Sequence, residues 1–180
     1  FFGQRLAAHF LSNNQQVSKA IIEIYETGWK RMKFDENEHD HSFVKGSGEK
    51  RTSKITAERD NVTIESGIED LIVLKTTNSG FVGFIKDEFT TLPETTDRIF
   101  STAIKATWRY LNADTANDVT FHAIRQTILK VFSDHESLSV QHTLYAIGEA
   151  ILDKFPDVAE IAFSMPNIHC LPVDMTKFGQ

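Results

Sequence analysis

Laid against itself at a displacement of 141 positions, the chain places Phe10-Leu11 on Ile151-Leu152, Val17 on Val158, Ile22 on Phe163 and Ile24 on Met165. A helix end, a short polar turn and a strand recur in the same order and length, which points to tandem copies of one α+β unit. The boundary is expected near Ser66-Gly67, giving one unit over 1–66 and a second over 67–180.

Local patterning fills in the units. Phe2, Leu6 and Phe10 recur every four residues with Ala7 and Leu11 beside them, the apolar stripe of a helix that ends near Asn13-Asn14. Residues 17–25 turn β-branched and predict a strand with Ala20, Ile22 and Ile24 on one face. The charged stretch 35–48, with Gly46 and Gly48, reads as a hairpin connection to a second strand from about Arg51 to Glu65. Leu71-Ile72-Val73-Leu74 is short enough for a buried strand. Phe100, Thr102, Ile104, Ala106, Trp108 and Tyr110 alternate with smaller or polar residues, so they form the core face of a long strand. Two helices follow, one carrying Phe121, Ile124, Ile128 and Phe132, the other Val140, Leu144, Ile147 and Ile151. Pro156 ends the second, and residues 158–164 read as a strand.

Composition then narrows the function. With 180 residues, 41% of them apolar, the chain holds one large or two small globular units and is too apolar for disorder. Its net charge is −6 and its Lys and Arg are scattered among Asp and Glu, so no basic stripe exists for nucleic acid. Cys170 is the only cysteine, which excludes an intramolecular disulfide, argues against a cysteine zinc site and fits a reducing compartment. No apolar run reaches the roughly 20 residues that span a bilayer, and no secretory pattern opens the sequence, so no membrane partner is expected. The start at Phe1, already inside an amphipathic pattern, and the stop at Gln180 lead to the expectation of a piece incomplete at both ends.

Three motifs carry chemistry. They are Asn78-Ser79-Gly80-Phe81-Val82-Gly83-Phe84-Ile85-Lys86-Asp87-Glu88-Phe89-Thr90-Thr91-Leu92-Pro93-Glu94-Thr95-Thr96-Asp97-Arg98, then Ser139-Val140-Gln141, then Ser164-Met165-Pro166-Asn167-Ile168-His169. Together, in this order and at these separations, they resemble urate oxidases over essentially the whole chain. The resemblance implies the tunnelling fold, with tandem strand-strand-helix-helix-strand-strand modules and an antiparallel sheet. It further implies a homotetramer with sites shared between subunits, and oxidation of urate by molecular oxygen to 5-hydroxyisourate and hydrogen peroxide without metal or organic cofactor. A cytoplasmic location would follow for a bacterial protein and a peroxisomal one for a eukaryotic protein.

The matched residues suit a flat, electron-rich purine anion. Phe81 offers a stacking plane, Arg98 a planar fork of donors and Gln141 an amide that both donates and accepts. If Ser139 caps its helix, the backbone N–H of Val140 lies in the first turn, at the positive end of the dipole. Asn167 and His169, two residues apart after a strand, can project to one side. In the resemblance, the asparagine holds oxygen or water above the ring and the histidine joins a proton relay with a lysine and a threonine. Those two partners precede the first helix in the family and have no match here, so residues 1–180 alone are expected to be inactive.

Other readings are weaker. His39-Asp40-His41 presents two imidazoles at strand spacing without an evident third ligand, so no metal is expected. Cys170 beside His169 is discounted as a nucleophile because adjacent strand residues face opposite ways. A non-catalytic purine-binding or assembly module is the runner-up. A pterin enzyme of the same fold is a third reading, disfavoured by the Arg98 and Gln141 pair.

Overall fold

The strand over Phe100–Tyr110 alternates as its sequence demands, with Phe100, Thr102, Ile104, Ala106, Trp108 and Tyr110 all buried. The computed structural model describes residues 1–170 and 176–178. Its elements are α1 (Phe2–Asn13), β1 (Lys19–Phe34), β2 (Asn37–Glu58), β3 (Val62–Lys75), β4 (Phe100–Tyr110), α2 (Asp118–Asp134), α3 (Val140–Lys154) and β5 (Val158–Ser164). The five strands form one sheet in chain order, every neighbouring pair antiparallel. The fold is therefore α+β, as the sequence predicts.

Helix α1 packs on β1 and β2, while α2 and α3 pack on each other and on β3 and β5. Trp108 fills the centre of the core, and its indole N–H donates to the Tyr110 hydroxyl at 2.8 Å, so a large apolar group is buried with its one polar atom satisfied. The other face of the sheet is charged. In register across all five strands run Glu23, Lys54, Glu65, Arg109 and Glu160, an alternating row in which each charge sits beside its opposite. Cross-strand pairing of this kind favours one register, since a slip of one residue would turn the row into the core.

Several expectations need correction. The α1 stripe is turned by one residue: Gly3, Ala7 and Leu11 are buried, whereas Phe2 and Phe10 are 70% and 44% exposed. Small side chains win the inner face because the helix lies close to the sheet; a Cβ on Gly3 would stand 2.4 Å from Ile55 Cδ1. This also splits the internal repeat. Gly3, Ala7 and Leu11 match Thr143, Ile147 and Ile151 at a displacement of 140, while Ala20 and Ile22 match Ile161 and Phe163 at 141. The spacing from the last buried helix residue to the core face of the strand, Leu11 to Ala20 against Ile151 to Ile161, is thus one residue longer in the second copy.

The stretch 35–48 is not a loop. β1 and β2 continue as a two-stranded ribbon beyond the sheet, closed by a turn in which Asp35 takes φ 55°, with Phe34 paired to Asn37. Solvent bathes both faces of this ribbon, so it lacks the alternation by which strands are recognised. The strand expected from Arg51 to Glu65 is broken after Glu58, whose N–H donates to Asn61 O at 2.8 Å. The run Leu71–Leu74 is the end of β3, which starts at Val62 and carries a bulge where Asp70 takes φ 59°. Ser66-Gly67, the expected module boundary, lies inside β3; a Cβ on Gly67 would meet Ala106 O at 2.6 Å.

Candidate functional site

Between β3 and β4 the chain runs irregularly through residues 76–99, too long a connection for a mere link. Asn78, at φ 58°, turns it out of the sheet, a conformation asparagine tolerates better than most residues. The segment is then fastened in three places. Phe81 and Thr95 exchange backbone hydrogen bonds of 2.8 and 3.1 Å, and Arg98 N–H donates to Ser79 O at 2.7 Å. Gly80 N–H donates to Ser137 O at 2.8 Å and Ser137 N–H to Asn78 O at 2.9 Å, which ties this segment to the turn before α3.

Two carboxylates hold the same segment. Asp97 accepts from the Thr77 hydroxyl at 2.7 Å and from Ser79 N–H at 3.3 Å, and these donors, Thr77 first, keep its pKa below the ordinary value. Glu94 accepts from Gly83 N–H at 3.0 Å and pairs with Lys86 at 3.1 Å; the amide and then the ammonium lower its pKa. Gly83 stands at φ +69°, where a Cβ would be strained.

Phe81 and Arg98 meet in this frame. The Arg98 guanidinium lies 5.2 Å from the Phe81 ring centroid, and Phe84 stacks on Phe81 at 4.4 Å with 18° between planes. Both residues are half-buried. Among the described residues, Arg98 Nε and Ser79 Oγ are the buried side-chain atoms without a hydrogen-bond partner. Buried donors are nearly always paired, so this guanidinium nitrogen stands out among the described residues.

Arg98 also lines a cleft of about 420 Å³ together with Thr95, Asp97, Asn167, His169 and Cys170. The strand leading there is extended by an isolated bridge between Thr102 and Asn167, by Ile168 N–H to Ser101 O at 2.8 Å and by the Thr102 hydroxyl to Pro166 O at 2.9 Å. Asn167 and His169 are exposed at its mouth. Val140 and Gln141 do not line this cleft. They open α3, whose cap is Ser139 accepting from His142 N–H at 3.1 Å, two residues after Ser137, which bridges to Ser79. The amides of this first turn have no carbonyl partners within the helix and point outward from its positive end.

The structure therefore places Arg98, Asn167 and His169 on one cleft, with Phe81 against Arg98, and leaves Val140 and Gln141 outside that cleft, at the start of α3. Sequence reasoning missed Phe84, Thr77, Asp97 and Ser137; Asp97 beside Arg98 was the one legible hint. His39 and His41 lie on exposed β2, where His39 Nδ1 accepts from His41 N–H at 3.2 Å. No group of three metal-ligating side chains occurs among the described residues. No helix among them is long and apolar enough to cross a membrane.

A continuous antiparallel sheet with helices on its apolar face, and an aromatic and guanidinium corner at the β3–β4 connection, defines an α+β chain of the tunnelling-fold class. The Uricase family model matches residues 4–56 and 64–180. Uricase-2 isozyme 1 of Glycine max is 39% identical over 98% of this chain and 61% of its own length. The uricase of Oryctolagus cuniculus is 38% identical over 99% and 62%. The crystal structure of uricase from Arthrobacter globiformis superposes with a TM-score of 0.91 at 38% identity, covering 99% of this chain and 61% of that one. The urate oxidase of Bacillus sp. TB-90 does so with a TM-score of 0.81 at 30% identity, over 91% and 59%. The chain belongs to the uricase family, and it spans about three fifths of the length of these relatives.

Proposed function

We propose that this chain is the purine-gripping part of a urate oxidase subunit, and the observation that carries the reading is the buried, unpartnered Nε of Arg98 over Phe81. A guanidinium paired to a carboxylate would be structural; this one keeps a donor for a planar anion of matching geometry. Phe81 stacks on the purine, Arg98 binds its edge, and Gln141 with the Val140 N–H binds the opposite edge. Asn167 holds oxygen or water above the ring, and His169 takes part in the proton relay.

The reaction balances without a metal or organic cofactor: urate, oxygen and water give 5-hydroxyisourate and hydrogen peroxide. Two electrons pass from the purine anion to oxygen, which leaves as peroxide after taking up two protons, and water supplies the new hydroxyl. The chain's task is to hold the anion, orient oxygen and move protons, which oriented donors in a preorganised site accomplish.

The residues up to the end of β2 form the later part of a first module and those from β3 onward most of a second, divided at the turn between the two strands. A homotetramer with sites shared between subunits is supported by apolar side chains left exposed, Ile85, Phe89 and Leu92 on the 76–99 segment and Trp29 and Phe34 on the ribbon. The family resemblance supports the cytoplasm in a bacterium and the peroxisome in a eukaryote. The test is made on the full-length protein: loss of urate absorbance with one peroxide formed per urate consumed. Tight anaerobic urate binding without turnover in air would favour a binding module instead, and absence of binding would refute the proposal.

A further inference from the structure

Lys75, His135 and His142 lie outside the set just described, yet they meet at the corner from which α3 springs. His135 caps α2 and its N–H donates to Val131 O at 3.0 Å. The Lys75 ammonium, at the end of β3, donates to His135 O at 2.5 Å and stands 5.6 Å from the Phe132 ring centroid. A cation on the last carbonyls of a helix is the favourable sign there. From the other side, His142 in the first turn of α3 brings its Nδ1 to 3.2 Å from His135 Nε2, the rings 4.4 Å apart. Gln141 is its neighbour in the chain, and the turn between the two histidines is the one bonded to Asn78 and Gly80.

We propose that Lys75, His135 and His142 are positioning residues that clamp the first turn of α3 and so aim Gln141 and the Val140 amide at the bound purine. The inference rests on the function proposed above for what it aims at, but the clamp itself is a property of the free protein. Its physical sense is angular. The N-terminus of a helix is held at its cap and otherwise swings, and an ångström of misplacement at a polar contact can cost on the order of a hundredfold in rate.

The clamp has a defined response to protons. Two imidazoles share a hydrogen bond when one nitrogen carries hydrogen and the facing one does not, so the contact survives one proton and fails with two. Burial, then His142, then Lys75 hold the His135 pKa below the ordinary imidazole value, against an opposing pull from Glu136. Lys130, Asp134 and Lys154 line a groove together with His135, the first two paired at 2.7 Å. With the folded pKa lowered, the contribution to stability is present above the ordinary imidazole range and is lost as pH falls through it.

Three variants of the full-length protein test this. His142→Gln keeps a hydrogen-bonding partner for His135 but cannot take a proton; His142→Leu and Lys75→Met each remove one tether. At about pH 8, His142→Leu and Lys75→Met should raise KM for urate by roughly fivefold or more with kcat within about twofold, and His142→Gln should leave KM near wild type. On acidification below the ordinary imidazole range the wild-type KM should climb while that of His142→Gln stays flat. An unchanged KM in His142→Leu, or a wild-type acid rise in His142→Gln, overturns the proposal. Amide resonances of Val140 and Gln141, followed by NMR against pH without urate, must track the histidine ring titration in wild type and lose that dependence in His142→Gln. If the wild type neither binds nor oxidises urate, the functional reading fails while the resonances still decide the clamp; resonances that ignore the ring titration overturn it.

Discussion

Replacing Arg98 by alanine separates binding from folding, because the structure gives the guanidinium little to do inside the protein. Among the described residues its Nε has no hydrogen-bond partner, and its contact with the half-buried Phe81 ring is a cation–π interaction at 5.2 Å. Losing that contact costs about 0.5–1 kcal/mol, which for a domain of this size shifts Tm by roughly 2–4 °C at most. A planar anion would lose far more. Hydrogen bonds to charged groups contribute about 1.5–3 kcal/mol each, so a two-pronged contact is worth at least ~3 kcal/mol, or roughly a 150-fold loss of affinity. Arg98→Lys keeps the charge without the fork and should fall between. The assay is anaerobic calorimetric titration of urate into full-length wild type and both variants, with thermal melts alongside. Affinity within threefold of wild type in Arg98→Ala would refute the assignment. A Tm fall beyond about 8 °C would show that the guanidinium is structural after all.

Gln141→Ala should weaken urate binding less than Arg98→Ala, by about 1 kcal/mol or roughly fivefold, since no charge is removed; the reverse ranking in the same titration would contradict the contacts assigned here. Asp97 is held ionised by the Thr77 hydroxyl and the Ser79 amide, so its share of stability is present above the ordinary carboxylate range and lost as pH falls through its lowered pKa. Asp97→Asn should therefore flatten the acid side of a Tm against pH curve, and parallel curves for variant and wild type would count against it. Dialysis of the full-length protein against a strong chelator should leave urate oxidation intact; activity lost and restored by one specific metal would redirect attention to His39 and His41.

What the sequence determined by itself is whatever follows from local period and local chemistry. The alternation of Phe100 to Tyr110 required a strand with one buried face, and the stripes through Ile124 and Ile128 and through Ile147 and Ile151 required two packed helices. Phe81, Arg98, Val140, Gln141, Asn167 and His169 became candidates through the resemblance of three motifs to urate oxidases, and of these Arg98, Asn167 and His169 line one cleft. Tertiary structure decided the rest. It chose Gly3, Ala7 and Leu11 over Phe2 and Phe10 for the inner face of α1, where Gly3 lies against the Ile55 side chain. It drew residues 35–48 out as a ribbon, whose solvated faces leave no hydrophobic period to read. It also placed Asp97, Ser137, Lys75 and the two histidines around the site, by hydrogen bonds that join β3 to the α2–α3 turn across some 60 positions. Spacing along the chain encodes which face a side chain takes, whereas the partner it finds on that face depends on how the sheet and helices close over one another.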